Sequence, residues 1–221
     1  MKKLLSIAVL AITALTFSSC YKHSLRGEGS IISDTRSLSL FTTLESDGDV
    51  QVEVYASNNN KVIVSGYQNL VPMFETNVSG GKLNLKFRDK YYNVRNNNIK
   101  VTIYTTDLNM ARINGSGSIT IGDSLTSKTF QADINGSGNM YVGKNSFDKI
   151  ELKINGSGDI NSYAAWGKYV TATISGSGDI QTTVTESLYT HISGSGDIYY
   201  NGNPKLVNID VSGSGKVHKM N

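Results

Sequence analysis

Residues 154–160 read INGSGDI, and the same short pattern returns along the second half of the chain. It begins at Ile113 as INGSGSI, at Ile134 as INGSGNM, at Ile174 and Ile192 as ISGSGDI, and at Val211 as VSGSGKV, with spacings of 21, 20, 20, 18 and 19 residues. A period near 20 fits one coil of a parallel β-solenoid: short strands and their corners, too small to bury an apolar face alone but able to do so when stacked. The parity of the flanking residues agrees. Ala132 with Ile134, Leu152 with Ile154, Ala172 with Ile174 and Ile209 with Val211 fall on one face of a strand, and Lys153, Thr173 and Asp210 on the other. Six residues on, Ile119, Ile160 and Ile198 keep the inward parity, and the two glycines between supply a bend where side chains would crowd. An antiparallel β-sandwich also explains regularly spaced strands, but not six near-identical turns.

Working outward, the first half is β-patterned as well. Val50, Val52 and Val54 alternate with Gln51 and Glu53, and Leu83, Leu85 and Phe87 with Asn84 and Lys86. LESDGDV at 44–50 is a degenerate copy of the turn and VSGGKL at 78–83 a shortened one, which predicts longer, irregular coils over 37–110 ahead of six regular repeats over 111–221. Almost no helix is expected. After Lys216 and Val217 no separate cap follows the last turn: either Lys216 and Lys219 discourage edge pairing or a partner covers that edge.

The N-terminus reads as an address label. Lys2 and Lys3 precede an apolar run from Leu4 to Phe17, shorter than the roughly 20 residues a permanent membrane helix needs. The chain's single cysteine, Cys20, follows directly after Phe17-Ser18-Ser19. This arrangement resembles a bacterial lipobox, which implies a signal peptide over 1–19, cleavage before Cys20 and acylation of its thiol, and hence a membrane partner through the lipid anchor. A small residue in a signal peptide cut elsewhere is the alternative. Residues 20–36 are polar, with two glycines and no sustained period, and read as a lipidated tether to a single domain over 37–221. One cysteine excludes an internal disulfide framework. Removing Lys2 and Lys3 takes the formal charge from +3 to +1, which gives no footprint for nucleic acid.

The repeated I-N-G-S-G after an SLFTTL opening, together with GDVQVEV, resembles the head GIN domain family, formerly a family of unknown function. The likeness runs from about Arg36 to Lys219. It implies an exported β-solenoid on a cell envelope, most simply the outer membrane, with adhesion assigned by analogy; it carries over no catalytic or binding residues.

Several constellations of side chains could carry chemistry. Asp159, Asp179 and Asp197 follow the turn on successive coils, a like-charge ladder that a weakly bound cation would relieve and that solvation alone would also explain. Identical repeats give identical environments, so the ladder lacks the asymmetry that paired catalytic carboxylates need. The arginines, Arg26, Arg36, Arg88, Arg95 and Arg112, all precede the repeated turns, and His23, His191 and His218 have no triad partner at a distinctive spacing. The serine column Ser116, Ser137, Ser157, Ser177, Ser195 and Ser214 reads as a structural ladder or as a flat polar face for a glycan. Tyr163, Trp166 and Tyr169, with the pairs Tyr91-Tyr92 and Tyr199-Tyr200, are the aromatic candidates for ligand contact; covering coil corners is the plainer role. The expectation is therefore a non-enzymatic envelope lipoprotein without cofactor or metal, an adhesin displaying a surface for glycan or protein. A periplasm-facing assembly component that self-associates is the alternative, and a carbohydrate-active enzyme comes after both.

Overall fold

The structure, a computed structural model, describes residues 23–88 and 91–220, and the signal peptide and Cys20 lie outside them. The first half carries β1 (His23–Arg26), β2 (Ile31–Arg36), β3 (Thr43–Asp47), β4 (Gln51–Ala56) and β5 (Lys61–Tyr67). After one 3-10 turn at Val71–Met73 come β6 (Phe74–Ser79), β7 (Lys82–Phe87), β8 (Tyr91–Arg95) and β9 (Lys100–Thr105). The second half carries β10 (Met110–Gly115), β11 (Ser118–Ile121), β12 (Thr129–Gly136), β13 (Asn139–Val142) and β14 (Ser146–Gly156). It ends with β15 (Asp159–Gly176), β16 (Ile180–Gly194), β17 (Ile198–Asn201), β18 (Leu206–Gly213) and β19 (Val217–Lys219). There is no α-helix among the described residues.

The regular half is the parallel β-solenoid that its period predicts. One ladder stacks β3, β10, β12, β14, the C-terminal part of β15, the C-terminal part of β16, and β18. A second, past the glycine turn, stacks β4, β11, β13, the N-terminal part of β15, the N-terminal part of β16, β17 and β19. Pairing is parallel and the repeats are in register, so like residues form columns: Ile113, Ile134, Ile154, Ile174 and Ile192 lie one above the next, each 1% exposed or less. Burying each such side chain contributes roughly 1.5–3 kcal/mol. The column beside it runs Ala111, Ala132, Leu152, Ala172 and Thr190, and Ile119, Ile160 and Ile198 are buried as their parity predicts. In the last rung the parity holds but the burial does not. Ile209 and Val211 are 53% and 38% exposed, because among the described residues no rung stacks beyond them.

Both glycines of each turn are dictated by the close stacking of rungs. A Cβ on Gly176, whose φ is +138°, would stand 2.0 Å from the Gly156 carbonyl oxygen, and one on Gly178 would stand 1.8 Å from that of Gly158. The serine between them donates its backbone N–H to the glycine below, as Ser177 does to Gly156 at 2.9 Å.

The first half corrects two expectations. LESDGDV does enter the stack, with Gly48 under Gly115 and β3 under β10, but VSGGKL does not form a coil turn. It closes an antiparallel hairpin of β6 and β7, with Gly80 and Gly81 at φ +58° and +75°, the left-handed pair that a two-residue hairpin demands. The rung of β7 and β9 then stacks beneath β3 and β4 although it follows them in sequence. Beyond it the end is closed by antiparallel strands rather than by longer coils: β6 on β7, β5 on β9 and β2 on β5. The second correction follows. Residues 23–36, read as tether, hold β1, which pairs with β8, and β2, which pairs along its whole length with β5. Arg36 fastens this cap by donating to the carbonyls of Phe74 and Val71 at 2.7 and 2.9 Å while meeting Asp34 at 2.8 Å. Backbone pairing, not an apolar pattern, holds β2, and Ile31 at its outer edge is 63% exposed.

Outside the core, side chains repeat the ladder. Asn155 donates to Asn135, and Asn135 to Asn114, each at 2.9 Å, and Asn114 ends the run on Glu45 and Asp47, both at 2.8 Å. Lys82 and Asn114 together hold the Glu45 carboxyl below its ordinary range against the opposing effect of its burial.

Candidate functional site

Most of the residues that repeat are consumed by the fold. Asp159 accepts the backbone N–H of Asp179 at 2.9 Å, Asp179 that of Asp197 at 2.8 Å, and Asp197 that of Lys216 at 2.7 Å. Each carboxylate of the ladder thus carries a hydrogen bond from the rung above, which offsets the repulsion that a cation was invoked to relieve. No group of three or more His, Cys, Asp or Glu that could hold a metal ion occurs among the described residues. The six turn serines are all exposed, and their hydroxyls hydrogen-bond to no described residue, so they form a flat polar strip rather than a bonded ladder. Two of the histidines do find partners one rung away: His191 lies 2.8 Å from Asp210, and His218 stacks on Tyr199 with centroids 4.9 Å apart. No hydroxyl completes the His191 pair into a nucleophilic triad among the described residues. Tyr199 reaches Asp197 at 3.3 Å, and burial first, then that carboxylate, raises its phenol above the ordinary value.

Where the repeats differ, the surface opens. Between Ile154 and Ile174 the coil has 20 residues, and between Ile174 and Ile192 it has 18. The pairing of β15 with β16 shows where the difference goes. Ser162 faces Thr182 and Trp166 faces Thr183, so Tyr163, Ala164 and Ala165 have no counterparts in β16 and form a bulge against that rung. Past Gly167, the next rung carries one residue more than β15 does, which leaves the net difference of two.

The bulge is held firmly. Ala165 is fully buried, Ser162 donates to the Gln181 carbonyl at 2.9 Å, Thr183 donates to the Tyr163 carbonyl at 2.7 Å, and the Trp166 N–H donates to the Asn145 carbonyl at 2.9 Å. Its consequence is to push two rings out of the wall: Tyr163 is 45% and Trp166 60% exposed.

Both rings line an open groove of about 890 Å³. Beneath them the groove is walled by Ala164, Leu125 and Thr183 and reached by Lys144 and Asn201. Lys144 is the one charged side chain in this lining. Asn145 is structural: it is 6% exposed, accepts the Leu125 N–H at 2.8 Å and donates to the carbonyls of Gly122 and Gly143. The groove thus offers two aromatic faces, an apolar floor and a few polar groups, a composition suited to ligands with flat apolar faces and a polar rim.

Of the three aromatic candidates, the structure brings Tyr163 and Trp166 together and leaves Tyr169 outside the groove, 55% exposed beyond the second irregularity. Tyr200 packs partly against the core, and the side chains of Tyr91 and Tyr92 lie outside the described residues. Lys144 and Asn201 were not legible as members of the site, because they come from neighbouring rungs. The signal that could have located it was the drop in spacing from 20 to 18.

The family described as "Putative auto-transporter adhesin, head GIN domain" matches residues 40–168, and again, overlapping, 149–204. The chain belongs to the head GIN domain family. Three solved structures share the fold seen here. A "putative adhesin" from Bacteroides fragilis is 23% identical, with a TM-score of 0.69 over 89% of this chain and 100% of that one. A "putative lipid binding protein" from Parabacteroides distasonis is 22% identical, with a TM-score of 0.56 over 90% and 100%. A "putative adhesin" from Parabacteroides merdae is 20% identical, with a TM-score of 0.57 over 90% and 99%. No curated protein matches.

Proposed function

We propose that this head GIN domain protein is a non-enzymatic adhesin of the cell envelope, anchored to the outer membrane by lipid on Cys20, and that the groove under Trp166 binds a glycan. The observation that carries the binding site is the three-residue bulge that holds Tyr163 and Trp166 exposed over a groove of about 890 Å³. Exposed rings on a rigid wall stack on the apolar face of a sugar at little entropic cost. The family's description and two of the neighbours' names favour adhesion. The name of the Parabacteroides distasonis neighbour and the apolar groove floor support a second reading, a lipid ligand.

A glycan array probed with residues 21–221, with phospholipid vesicles alongside, separates the two. A saccharide class retained on the array and weakened tenfold or more by Trp166→Ala is expected, in line with stacking worth about 1–3 kcal/mol. Binding to vesicles alone would replace the glycan by a lipid, and equal binding by Trp166→Ala would move the site elsewhere. For the anchor, cells grown with labelled palmitate should yield a labelled protein in the membrane fraction. Cys20→Ala should carry no label, and label that persists in this variant would refute the anchor.

A further inference from the structure

We infer that the C-terminal end of the solenoid is a docking surface for a second copy of the same chain, which pairs its own β18 antiparallel to this one about Ile209. The two ends of the stack are unlike. The N-terminal end is closed by the antiparallel strands β2, β5 and β6, whereas among the described residues β18 pairs only with β16 and β19 only with β17, so the outer edges of both are open. An open edge beside apolar side chains is a template for another strand. In inner rungs the inward columns are almost fully buried, yet in β18 Ile209 and Val211 are 53% and 38% exposed.

The strand is complementary to itself. In an antiparallel pair, opposite residues share a face. Pairing about Ile209 therefore sets Ile209 against Ile209, Val207 against Val211 and Val211 against Val207, all on the inward face, and continues the core of one copy into the other. On the outward face Asp210 meets Asn208 instead of a second Asp210, so no like charges oppose one another. Two of the lysines near this edge are turned back on their own chain: Lys205 meets Glu186 at 2.8 Å and Lys219 donates to Asn203 at 2.7 Å, while Asp210 is engaged by His191 at 2.8 Å. Because the pairing about Ile209 is two-fold and uses the same strand edge on both copies, the association closes at two copies and does not grow into a fibre.

Residues 21–221, which contain the whole described fold, test this by sedimentation equilibrium. A reversible dimer is expected. Ile209→Lys should weaken it by about thirtyfold or more while leaving the circular dichroism unchanged, since the side chain is already half exposed. Ile209→Cys, the sole thiol in a chain that starts after Cys20, should cross-link to a covalent dimer under mild oxidation, and Thr185→Cys should not. A monomer at every concentration, a dimer indifferent to Ile209→Lys, growth beyond two copies, or an edge filled only by some other added protein would each overturn the proposal.

Discussion

Gly178→Ala is expected to leave the chain without a stable fold. The new methyl would stand 1.8 Å from the Gly158 carbonyl oxygen and 2.9 Å from its carbon, and neither atom can swing away because both are backbone within the stack. To reach a normal contact of about 3 Å the rungs must part by more than about 1 Å. The parallel hydrogen bonds beside the turn, such as Ser177 to Gly156 at 2.9 Å, do not survive that separation. Overpacking and lost pairing together put the cost above about 4 kcal/mol, a large share of the roughly 5–15 kcal/mol by which a domain is stable. Gly48→Ala is the control: it has φ +89° but no atom within 4 Å of the added methyl, so it bears only backbone strain of about 1–2 kcal/mol. Urea denaturation followed by circular dichroism measures both. Equal midpoints for the two variants would mean that rung spacing, as described, does not dictate the turn.

Phe147→Ala has the second largest expected effect, about 3–5 kcal/mol. Its ring is 2% exposed and lies on Phe130 with centroids 5.3 Å apart and planes 22° from parallel. The backbone around it is fixed by β14's pairing on both sides, so the void cannot close by collapse. The midpoint in urea should fall with the slope unchanged. A loss under about 1 kcal/mol would show that this corner of the solenoid relaxes freely.

These two residues also mark how much was legible in the sequence. The six G-S-G turns declare a parallel stack because each copy needs glycine for the same reason, the carbonyl of the copy below. VSGGKL misleads for a physical reason too: a hairpin at Gly80-Gly81 draws on the same residue type to reach left-handed φ, and only the direction of the paired strand separates the two uses. The cap strand β2 escaped because its hold is backbone pairing and the Arg36 fork, neither of which leaves an apolar period. At the groove, the exposed rings could be chosen from their chemistry, but Lys144 and Asn201 lie 22 residues before and 35 after Trp166 and become neighbours only through stacking. The aspartate ladder, visible as a column, takes its meaning from backbone N–H groups that no side-chain pattern records.

The central claim is that the repeated turns build the scaffold and the Tyr163–Ala165 bulge, where a 20-residue coil meets an 18-residue one, does the binding. The most direct test is calorimetric affinity for the array's best saccharide, measured side by side for Trp166→Ala and for the triple variant Ser137→Ala, Ser157→Ala, Ser177→Ala, which strips the polar strip without touching a hydrogen bond of the fold. Affinity lost by the first and kept by the second is the predicted result; affinity kept by Trp166→Ala and lost with the serines would place binding on the repeated face and contradict it.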